Sequence, residues 1–279
     1  MRRRPSIRQI FVILAWRSTF NRSDNRRPCA LPLSALGSRK LLTVAKWPSQ
    51  RSVKTTDAEA ILRDADVRLE ERHGTPRLGN KRHAVSELVF IILSARTRGR
   101  HHEKAYRELR RRFRTWEAVR DAPVRHIERV IRDAGLSRVK ARQIKSLLRR
   151  LTVDFGSLSP RPLRHMNTEA LEVYLAGLPG VGLKTARCVM MYALDRPVFP
   201  VDTHCMRLFV NLGIISGRMR FEYAQDLLQN AVPVEIRKTL HVNAVAHGRE
   251  TCVPRQERCG QCVIADMCCN CRLQEGLTV

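Results

Sequence analysis

Long apolar runs and acidic residues are both scarce in this sequence, and each shortage narrows what the protein can be. A membrane-spanning helix needs roughly 18–20 consecutive apolar residues, whereas the stretch from Ile10 to Trp16 has only seven. Asp and Glu number 26 against 52 Lys and Arg, which gives a formal net charge of +26. This excess favours a polyanionic partner, and nucleic acid is preferred over an anionic membrane. Charge alone does not separate a nucleic-acid binder from a merely basic, soluble surface.

Strand patterns are also lacking. The sequence has few alternating apolar and polar runs, no Asn-Gly hairpin signals and no evident internal repeat, so we predict an all-α fold. Its 279 residues leave room for one large or two small domains, and 43% hydrophobic residues suffice for a packed core. Apolar spacing predicts helices from about Thr56 onward, the first of them capped by Asp57. The predicted helices cover 58–73, 87–95 (buried), 103–113, 116–121, 123–134, 140–155 and 168–176.

Residues 1–56 are strongly basic, with thirteen Lys or Arg and one acid, Asp24. Three interpretations compete: a disordered arm that adds non-specific affinity for phosphate, an organellar transit peptide, or an upstream translation start that adds nothing folded. We favour a disordered extension. For a bacterial source we expect a cytoplasmic or nucleoid protein, with organellar targeting by residues 1–56 as the alternative.

A glycine-containing turn, Leu178 to Gly182, separates two segments with helical spacing. Two glycines two residues apart let the backbone take positive φ and approach a ligand closely. The N–H groups at the start of the next helix, near Leu183, can bind phosphate without reading sequence. An ordinary corner between helices is the alternative. A dinucleotide-binding loop is disfavoured because no strand precedes the glycines.

Lys184 and Asp202 follow this turn and form a chemically suggestive pair. Lys184 falls in the first turn of the second helix, where the helix dipole is expected to lower its pKa and favour the neutral, nucleophilic amine. Asp202 follows the apolar stretch 197–201 and is expected to start a helix. A surface lysine and a plain N-cap are the alternatives. Beside a phosphate-binding turn, an amine and a carboxylate suggest covalent chemistry at a sugar C1′.

Four cysteines lie close together near the C-terminus, with gaps of six, two and five residues: Cys252, Cys259, Cys262 and Cys268. A structural zinc site usually uses two separated knuckles, whereas here a single loop surrounds one centre, as cysteines do around a cubane iron–sulfur cluster. We therefore predict a [4Fe–4S] cluster, with zinc as an alternative. A disulfide framework is disfavoured in a chain without a secretory signal.

Taken together, these motifs resemble the endonuclease III family, DNA repair glycosylases of the helix-hairpin-helix superfamily. The resemblance rests on the segment 178–186, on Val201-Asp202-Thr203-His204, and on His247-Gly248-Arg249 leading into the cysteine loop. It extends from about residue 57 to 268 with the motifs in the family's order.

The resemblance implies two helical domains, with DNA in the groove between them and the damaged base flipped out of the duplex. The six-helix domain would cover 86–196 and contain the hairpin. The other would join 57–85 to 197–272 and hold the cluster loop, and 273–279 would form a tail. The cluster would shape a basic DNA-contacting loop and take no part in base excision.

The resemblance also implies a mechanism. Asp202 would stabilise positive charge developing at C1′ and assist proton handling, and neutral Lys184 would attack C1′ to form an imine. β-Elimination would then break the strand on the 3′ side of the lesion. Members that lack this lysine generally remove the base without efficient strand cleavage. We therefore expect a bifunctional glycosylase and abasic-site lyase, a monomer acting on damaged, family-typical pyrimidine bases in double-stranded DNA.

One stretch departs from the family pattern of Ser-Ala-Gln-x-x-Asp, because Arg96 stands where glutamine is expected and Gly99 replaces the acid. Arg96 would fill the gap left by the flipped base or pair with a phosphate. Leu136 would be a wedge into the duplex, or a core leucine. The residues expected to contact DNA are Leu178, Gly180, Val181, Gly182, Thr185, His204, Arg96, Leu136, Arg255 and Arg258.

The other cysteines are expected to be reduced bystanders: Cys29, Cys188, Cys205, Cys269 and Cys271. Three other classes of protein stay open. These are a monofunctional glycosylase of the same superfamily, a non-catalytic iron–sulfur DNA-binding protein, and a zinc-loop DNA-binding protein.

Overall fold

A computed structural model describes residues 55–97 and 99–274, with side chains from 58 to 97 and from 99 to 271. The basic extension up to residue 54, with its targeting prediction, lies outside the described residues. So do Cys29 and the last five residues of the predicted tail.

Within the described residues the fold is all-helical and has no strand, as predicted. None of these helices combines the length and the apolar character that a membrane crossing needs. The α-helices are α1 (Thr55–His73), α2 (Ala84–Ser94), α3 (His101–Arg112), α4 (Trp116–Asp121), α5 (Val124–Val130), α6 (Ser137–Phe155), α7 (Arg161–His165), α8 (Thr168–Ala176), α9 (Leu183–Leu194), α10 (Thr203–Asn211), α11 (Phe221–Ala231), α12 (Arg237–Glu250) and α13 (Cys269–Gln274).

Some of the observed helix boundaries agree with the predicted boundaries, and others differ from them. Helices α4 and α8 have the predicted bounds, and α2 is buried on nearly all sides, as its apolar sequence predicts. Helix α1 begins at Thr55, so Asp57 lies in the first turn and the prediction that it caps the helix is wrong.

The helix predicted over 123–134 is divided in two. Helix α5 ends at Val130, and a 3-10 turn, Arg132–Ala134, follows it. Side chains three residues apart eclipse in a 3-10 turn, which lets Ile131 and Ala134 both reach the core, each with no exposed surface. Gly135 ends the turn with a φ of 65°.

Two hydrophobic cores lie within the one compact unit that contains all described residues. The first draws on α2 through α9, and the second on α1, the segment 199–201, α10, α11 and α12, and Ile264 near the C-terminal loop. Helix α9, fully buried at Val189 and Met190, belongs to the first core. Asp202 follows directly on the apolar segment of the second. The predicted domain boundaries stay a prediction.

Candidate functional site

Lys184 and Asp202, which are 18 positions apart in sequence, line one cavity of about 230 Å³. Lys184 comes from the first turn of α9, and Asp202 is the residue before α10. Both are half-buried. The other residues that line the cavity are Leu78, Asn80, Phe90, Ile91, Ser94, Thr97, Gly99, His102, Cys188, Tyr192, His241, Val245 and Arg249.

The turn between α8 and α9 places Lys184 at the cavity. Gly180 has a φ of +77°, and a side chain there would also press against Gln143, whose atoms lie 3.0–3.2 Å from the position of a Cβ. Gly182, the N-cap of α9, has a φ of −99°, so the prediction of positive φ holds for Gly180 and is wrong for Gly182. Gly182 offers no side-chain cap, and the first N–H groups of α9 have no acceptor within the helix.

The apolar side chains of this turn face inward. Leu178 and Val181 are 3% and 6% exposed and belong to the first core. The Val181 N–H donates to the Leu178 carbonyl at 3.0 Å and so closes the turn. The contact of these two residues with DNA stays a prediction, and their side chains are buried in this structure. The backbone of Gly180 and of Gly182 to Thr185 remains available for such a contact.

The pKa of Lys184 shifts in the direction opposite to the one predicted from the helix dipole. The neighbouring Cys188 sulfur raises the pKa of Lys184 most, burial opposes the rise, and Asp202 adds to it. Burial in turn raises the pKa of the Cys188 thiol to about 11. Cys188 is therefore neutral at neutral pH, and the Asp202 carboxylate is the charge that keeps Lys184 protonated.

Asp202 is both an N-cap and a cavity residue. Its Oδ1 accepts hydrogen bonds from the backbone N–H groups of His204 and Cys205, each at 2.9 Å. Burial would raise the pKa of Asp202, but His241, the Cys205 N–H and Lys184 together lower it. The carboxylate is therefore ionised at neutral pH.

Two buried polar side chains hold the segment that leads into Asp202. The Gln225 amide accepts a hydrogen bond from the Val201 N–H at 3.1 Å and donates to the Val201 carbonyl at 2.7 Å. Arg187, which is 3% exposed, donates to the Gln225 carbonyl and pairs with Glu172 at 2.7 Å and Asp226 at 3.0 Å. These bonds join α8, α9 and α11 behind the cavity.

Several cavity residues carry no sequence signal. His241 is buried in α12, where its Nδ1 lies 2.8 Å from the Pro200 carbonyl, and burial lowers its pKa to about 4. Buried Glu87 accepts hydrogen bonds from the Asn80 amide and the Lys81 N–H, and so fixes Asn80 at the cavity wall. Burial raises the pKa of Glu87 to about 7. The hydrogen-bond partners of His241 and Glu87 are distant in sequence or lie in loops. No local sequence pattern therefore predicts these contacts.

Cys188 and Cys205 were expected to be bystanders, and both are free thiols. However, Cys188 lines the cavity, and the Cys205 sulfur lies 3.4 Å from His241 Nδ1. Both are therefore neighbours of the Lys184 and Asp202 pair.

Arg96 and Leu136 lie in two loops with left-handed backbone. Arg96 has a φ of 52°, and Leu136 has a φ of 47°. For L-residues this conformation costs roughly 1–2 kcal/mol, and such strain concentrates at functional sites. Leu136 is 54% exposed, so the alternative of a core leucine is wrong. Arg96 is also exposed.

A buried lysine joins these two loops. Lys140 is 3% exposed, and its Nζ donates to the Leu93 carbonyl at 2.7 Å, the Thr97 hydroxyl at 2.7 Å and the Ala134 carbonyl at 2.8 Å. Leu93 and Thr97 flank Arg96, and Ala134 immediately precedes the Gly135-Leu136 loop. Burial lowers the pKa of Lys140 to about 8. With all three ammonium donors used, Lys140 fixes the separation of the loops.

The four cysteines of the C-terminal loop line a second cavity. The Asn211 amide lies 3.6 Å from the Cys252 sulfur, and His247 Nε2 lies 3.5 Å from the Cys262 sulfur. In the part of the chain that the structure describes, no three potential ligands converge as they would on a single metal ion. The thiols instead surround a cavity, where Cys252 accepts a hydrogen bond from Asn211 and Cys262 lies beside the His247 ring, a donor set that fits an iron–sulfur cluster.

Arg255 and Arg258 belong to this cysteine loop, and Arg258 also lines its cavity. Both are exposed, and Arg255 is a further residue with positive φ, at 66°.

His204 is half-buried, and its Nδ1 lies 3.2 Å from Arg207 Nη2. His204 packs so closely on Gly248 that a Cβ on Gly248 would lie 2.5 Å from the ring. This contact explains the glycine between His247 and Arg249.

Cys271 lies outside the matched cysteine spacing, as predicted, but the expectation that it is a bystander is wrong. Its side chain is 3% exposed and lines the same cavity as the four cysteines. The Cys271 thiol lies 2.8 Å from the Cys259 sulfur. Helix α13 brings Cys271 back to the loop, which the linear spacing does not reveal.

Comparison with known proteins identifies the family. Residues 89–233, just over half of the chain, match the HhH-GPD superfamily of base excision DNA repair proteins. Residues 252–268 match the iron–sulfur binding domain of endonuclease III. The chain belongs to the endonuclease III family. It is thus a base-excision DNA glycosylase of the HhH-GPD superfamily and has a [4Fe–4S] cluster.

Individual relatives agree with this assignment. Endonuclease III of Haemophilus influenzae is 33% identical over 181 residues, which cover 65% of this chain and 81% of that protein. A candidate DNA glycosylase of Arabidopsis thaliana is 33% identical over 162 residues, and the chain spans about half of its length, 55%. A solved trapped endonuclease III–DNA covalent intermediate has a TM-score of 0.68 at 24% identity, covering 78% of this chain and 98% of that one. This last likeness supports the endonuclease III fold.

Proposed function

We propose that this endonuclease III family member is a bifunctional enzyme that removes a damaged base and then cleaves the abasic site by β-elimination through Lys184. One observation carries the proposal: Lys184 and Asp202 line the same cavity, next to the backbone N–H groups that begin α9. An amine and an ionised carboxylate at one cavity are the two groups that this chemistry needs.

DNA recognition would combine phosphate binding with insertion into the duplex. The N–H groups of Gly180 and of the first turn of α9 bind a backbone phosphate. Arg96 enters the gap left by the flipped base, and Leu136 wedges the opposite strand. Exposed Arg255 and Arg258 add phosphate contacts beside the cluster loop. The cluster keeps that loop folded and supplies no chemistry to base excision.

Base release would begin with the flipped nucleotide in the 230 Å³ cavity. As the bond from C1′ to the base nitrogen breaks, the base takes the bonding electron pair, and the Asp202 carboxylate stabilises the positive charge left at C1′. Lys184, protonated at rest because of Asp202, gives its proton to the departing base. The neutral amine then attacks C1′.

Strand cleavage would follow from the covalent intermediate. The Lys184 nitrogen passes its second proton to the ring oxygen as the bond from C1′ to that oxygen opens, which leaves a protonated imine and a free hydroxyl group. The imine acidifies the C2′ proton, and loss of that proton expels the 3′ phosphate as the C3′–O bond breaks. Water then hydrolyses the imine and restores Lys184.

The cavity lining suits a base with extra polar groups. Hydrogen-bonding side chains occupy several of its walls, among them Asn80, Ser94, His102 and Arg249. These groups suit the added carbonyl and hydroxyl groups of an oxidised pyrimidine, as a few placed polar groups do in binding pockets generally. We therefore propose damaged pyrimidines as the substrate class.

Separate assays of base release and strand cleavage test the proposal. The wild-type enzyme, given duplexes with different damaged bases, is expected to release an oxidised pyrimidine and nick the same strand. Lys184→Ala is expected to lose nicking, and Asp202→Asn to lose both activities by about 100-fold or more. Lys238→Ala, which alters an exposed lysine paired with Asp195, is the matched control and should act like the wild type. Nicking by Lys184→Ala at the wild-type rate would refute the lyase assignment.

A monofunctional glycosylase is the second candidate, and the raised pKa of Lys184 favours it. If Lys184 keeps its proton throughout, it stabilises charge without attacking C1′, and water completes the reaction. In that case the wild-type enzyme releases the base, and the strand stays intact until alkali is added.

A further inference from the structure

Helix α13 brings a fifth cysteine, Cys271, to the cavity that the four cluster cysteines line. The Cys271 sulfur lies 2.8 Å from the Cys259 sulfur, and the Cys271 side chain is 3% exposed. The Cys271 sulfur therefore lies beside that of Cys259 at the wall of the same cavity.

Cys259 lies in more exposed surroundings than buried Cys268. It lies in a 3-10 turn, Cys259–Gln261, between the exposed residues Arg258 and Gly260. The Cys252 sulfur has Asn211 beside it, and the Cys262 sulfur has His247. Cys268 is buried, at 5% exposure. The Cys259 sulfur has the Cys271 sulfur beside it.

The spacing of the cysteines that remain when Cys259 is left out also suits a four-cysteine cluster site. Without Cys259, the set Cys252, Cys262, Cys268 and Cys271 has gaps of nine, five and two residues. It keeps one C-x-x-C pair, now Cys268 with Cys271 in place of Cys259 with Cys262. A C-x-x-C turn brings two thiolates to one cluster in many iron–sulfur proteins.

We propose that Cys271 is a reserve ligand of the [4Fe–4S] cluster, able to replace Cys259 on its iron when the Cys259 thiolate is lost. The exchange is balanced without any oxidant or reductant. The bond from iron to the Cys259 sulfur breaks and that sulfur takes a proton, while the Cys271 thiol gives its proton to solvent and its sulfur bonds the iron. The proposal depends on the cluster and is independent of the lyase activity of Lys184.

Cys269 provides a matched control within the same helix. It lies two residues before Cys271, but its sulfur packs against Gly213, 3.4 Å from the position of a Cβ there. Cys269 is not among the residues that line the cavity. Removing Cys269 therefore alters the helix equally without removing a thiol from the cavity.

Three full-length variants test the proposal: Cys259→Ala, Cys259→Ala/Cys271→Ala and Cys259→Ala/Cys269→Ala. Alanine is chosen because it cannot bind iron. After anaerobic purification and reconstitution, iron content and absorbance near 400 nm are measured. We expect Cys259→Ala and Cys259→Ala/Cys269→Ala to keep at least about half of the wild-type iron. The variant without both Cys259 and Cys271 should keep about tenfold less.

Two results of the iron measurement would overturn the proposal. One is a Cys259→Ala protein that stays free of iron after reconstitution, since a cluster held by Cys271 would be recovered. The other is equal iron in Cys259→Ala and Cys259→Ala/Cys271→Ala, which would mean that three cysteines suffice. Electron paramagnetic resonance adds a separate readout, because a three-iron cluster in Cys259→Ala would mean that Cys271 does not bind the fourth iron. Circular dichroism monitors the helical content of each variant.

Discussion

Replacing Lys140 by methionine should uncouple the two loops that carry Arg96 and Leu136. Methionine matches the length of lysine but donates no hydrogen bond. The Leu93 and Ala134 carbonyls would then share a single side-chain donor, the Thr97 hydroxyl, which lies 2.6 Å and 2.7 Å from them. One hydroxyl proton serves only one carbonyl at a time. The variant therefore leaves one buried carbonyl without its donor.

The expected loss of stability is moderate. A buried carbonyl left without a partner costs about 1–3 kcal/mol, so we expect the free energy of unfolding to fall by that amount. For a folded region of this size, the change corresponds to roughly 2–12 °C in Tm. Urea unfolding followed by circular dichroism measures it. Lys145→Met is the control, because Lys145 lies on the same helix and donates to the Ala122 carbonyl, away from both loops.

The loss of activity in Lys140→Met should be larger than its loss of stability alone would cause. A displacement of about 1 Å at a catalytic assembly can cost about 100-fold in rate, so we expect single-turnover base release from duplex DNA to fall about 10- to 100-fold at a temperature where Lys140→Met is folded. Cleavage of a single-stranded abasic oligonucleotide needs no wedge and should change less than about twofold. Equal losses on both substrates, or no loss on the duplex, would refute the role given to Lys140.

Three further predictions concern stability. Arg187→Met should lower the free energy of unfolding by about 3 kcal/mol in urea, because it leaves Glu172 and the Gln225 carbonyl without their buried partner; an unchanged value would contradict this. His241, whose pKa is lowered to about 4, should make the protein less stable as pH falls from about 6.5 to 4, since the unfolded chain binds the proton first. The slope is up to about 1.4 kcal/mol per pH unit, and pH-dependent urea unfolding should show a shallower slope for His241→Gln. Leu136→Gly should raise stability by about 0.5–1 kcal/mol by relieving left-handed strain, while duplex processing, measured by base release, falls.

The sequence predicts much of the fold because local signals and tertiary packing agree over long segments. Helix α8 begins after Asn167, whose side chain accepts a hydrogen bond from the Ala170 N–H, and ends at Ala176, before the glycine turn. Helix α12 is not predicted from the sequence. It carries buried His241, Asn243 and His247 among its apolar residues, and their partners lie in distant segments, so no apolar stripe marks it.

The candidate site was only partly predictable for a similar reason. The position of Lys184 at the start of α9 follows from the glycine turn, but its pKa depends on Asp202 and Cys188, which the helix-dipole argument leaves out. Lys140 looks like one more basic residue of a surface helix. Its burial depends on carbonyl acceptors up to 47 positions away. Cys271 lies outside the cysteine spacing, and only helix α13 brings it back to the cavity.

The central claim is that Lys184 forms a covalent imine with the sugar, and borohydride trapping tests it most directly. The enzyme is mixed with abasic-site duplex and sodium borohydride, which reduces the imine to a stable amine. The adduct is then digested, and the modified peptide is located by mass spectrometry. We predict an adduct on Lys184 in the wild type and in Lys238→Ala, and none in Lys184→Ala. Absence of an adduct in the wild type, or an adduct on another lysine, would contradict the mechanism.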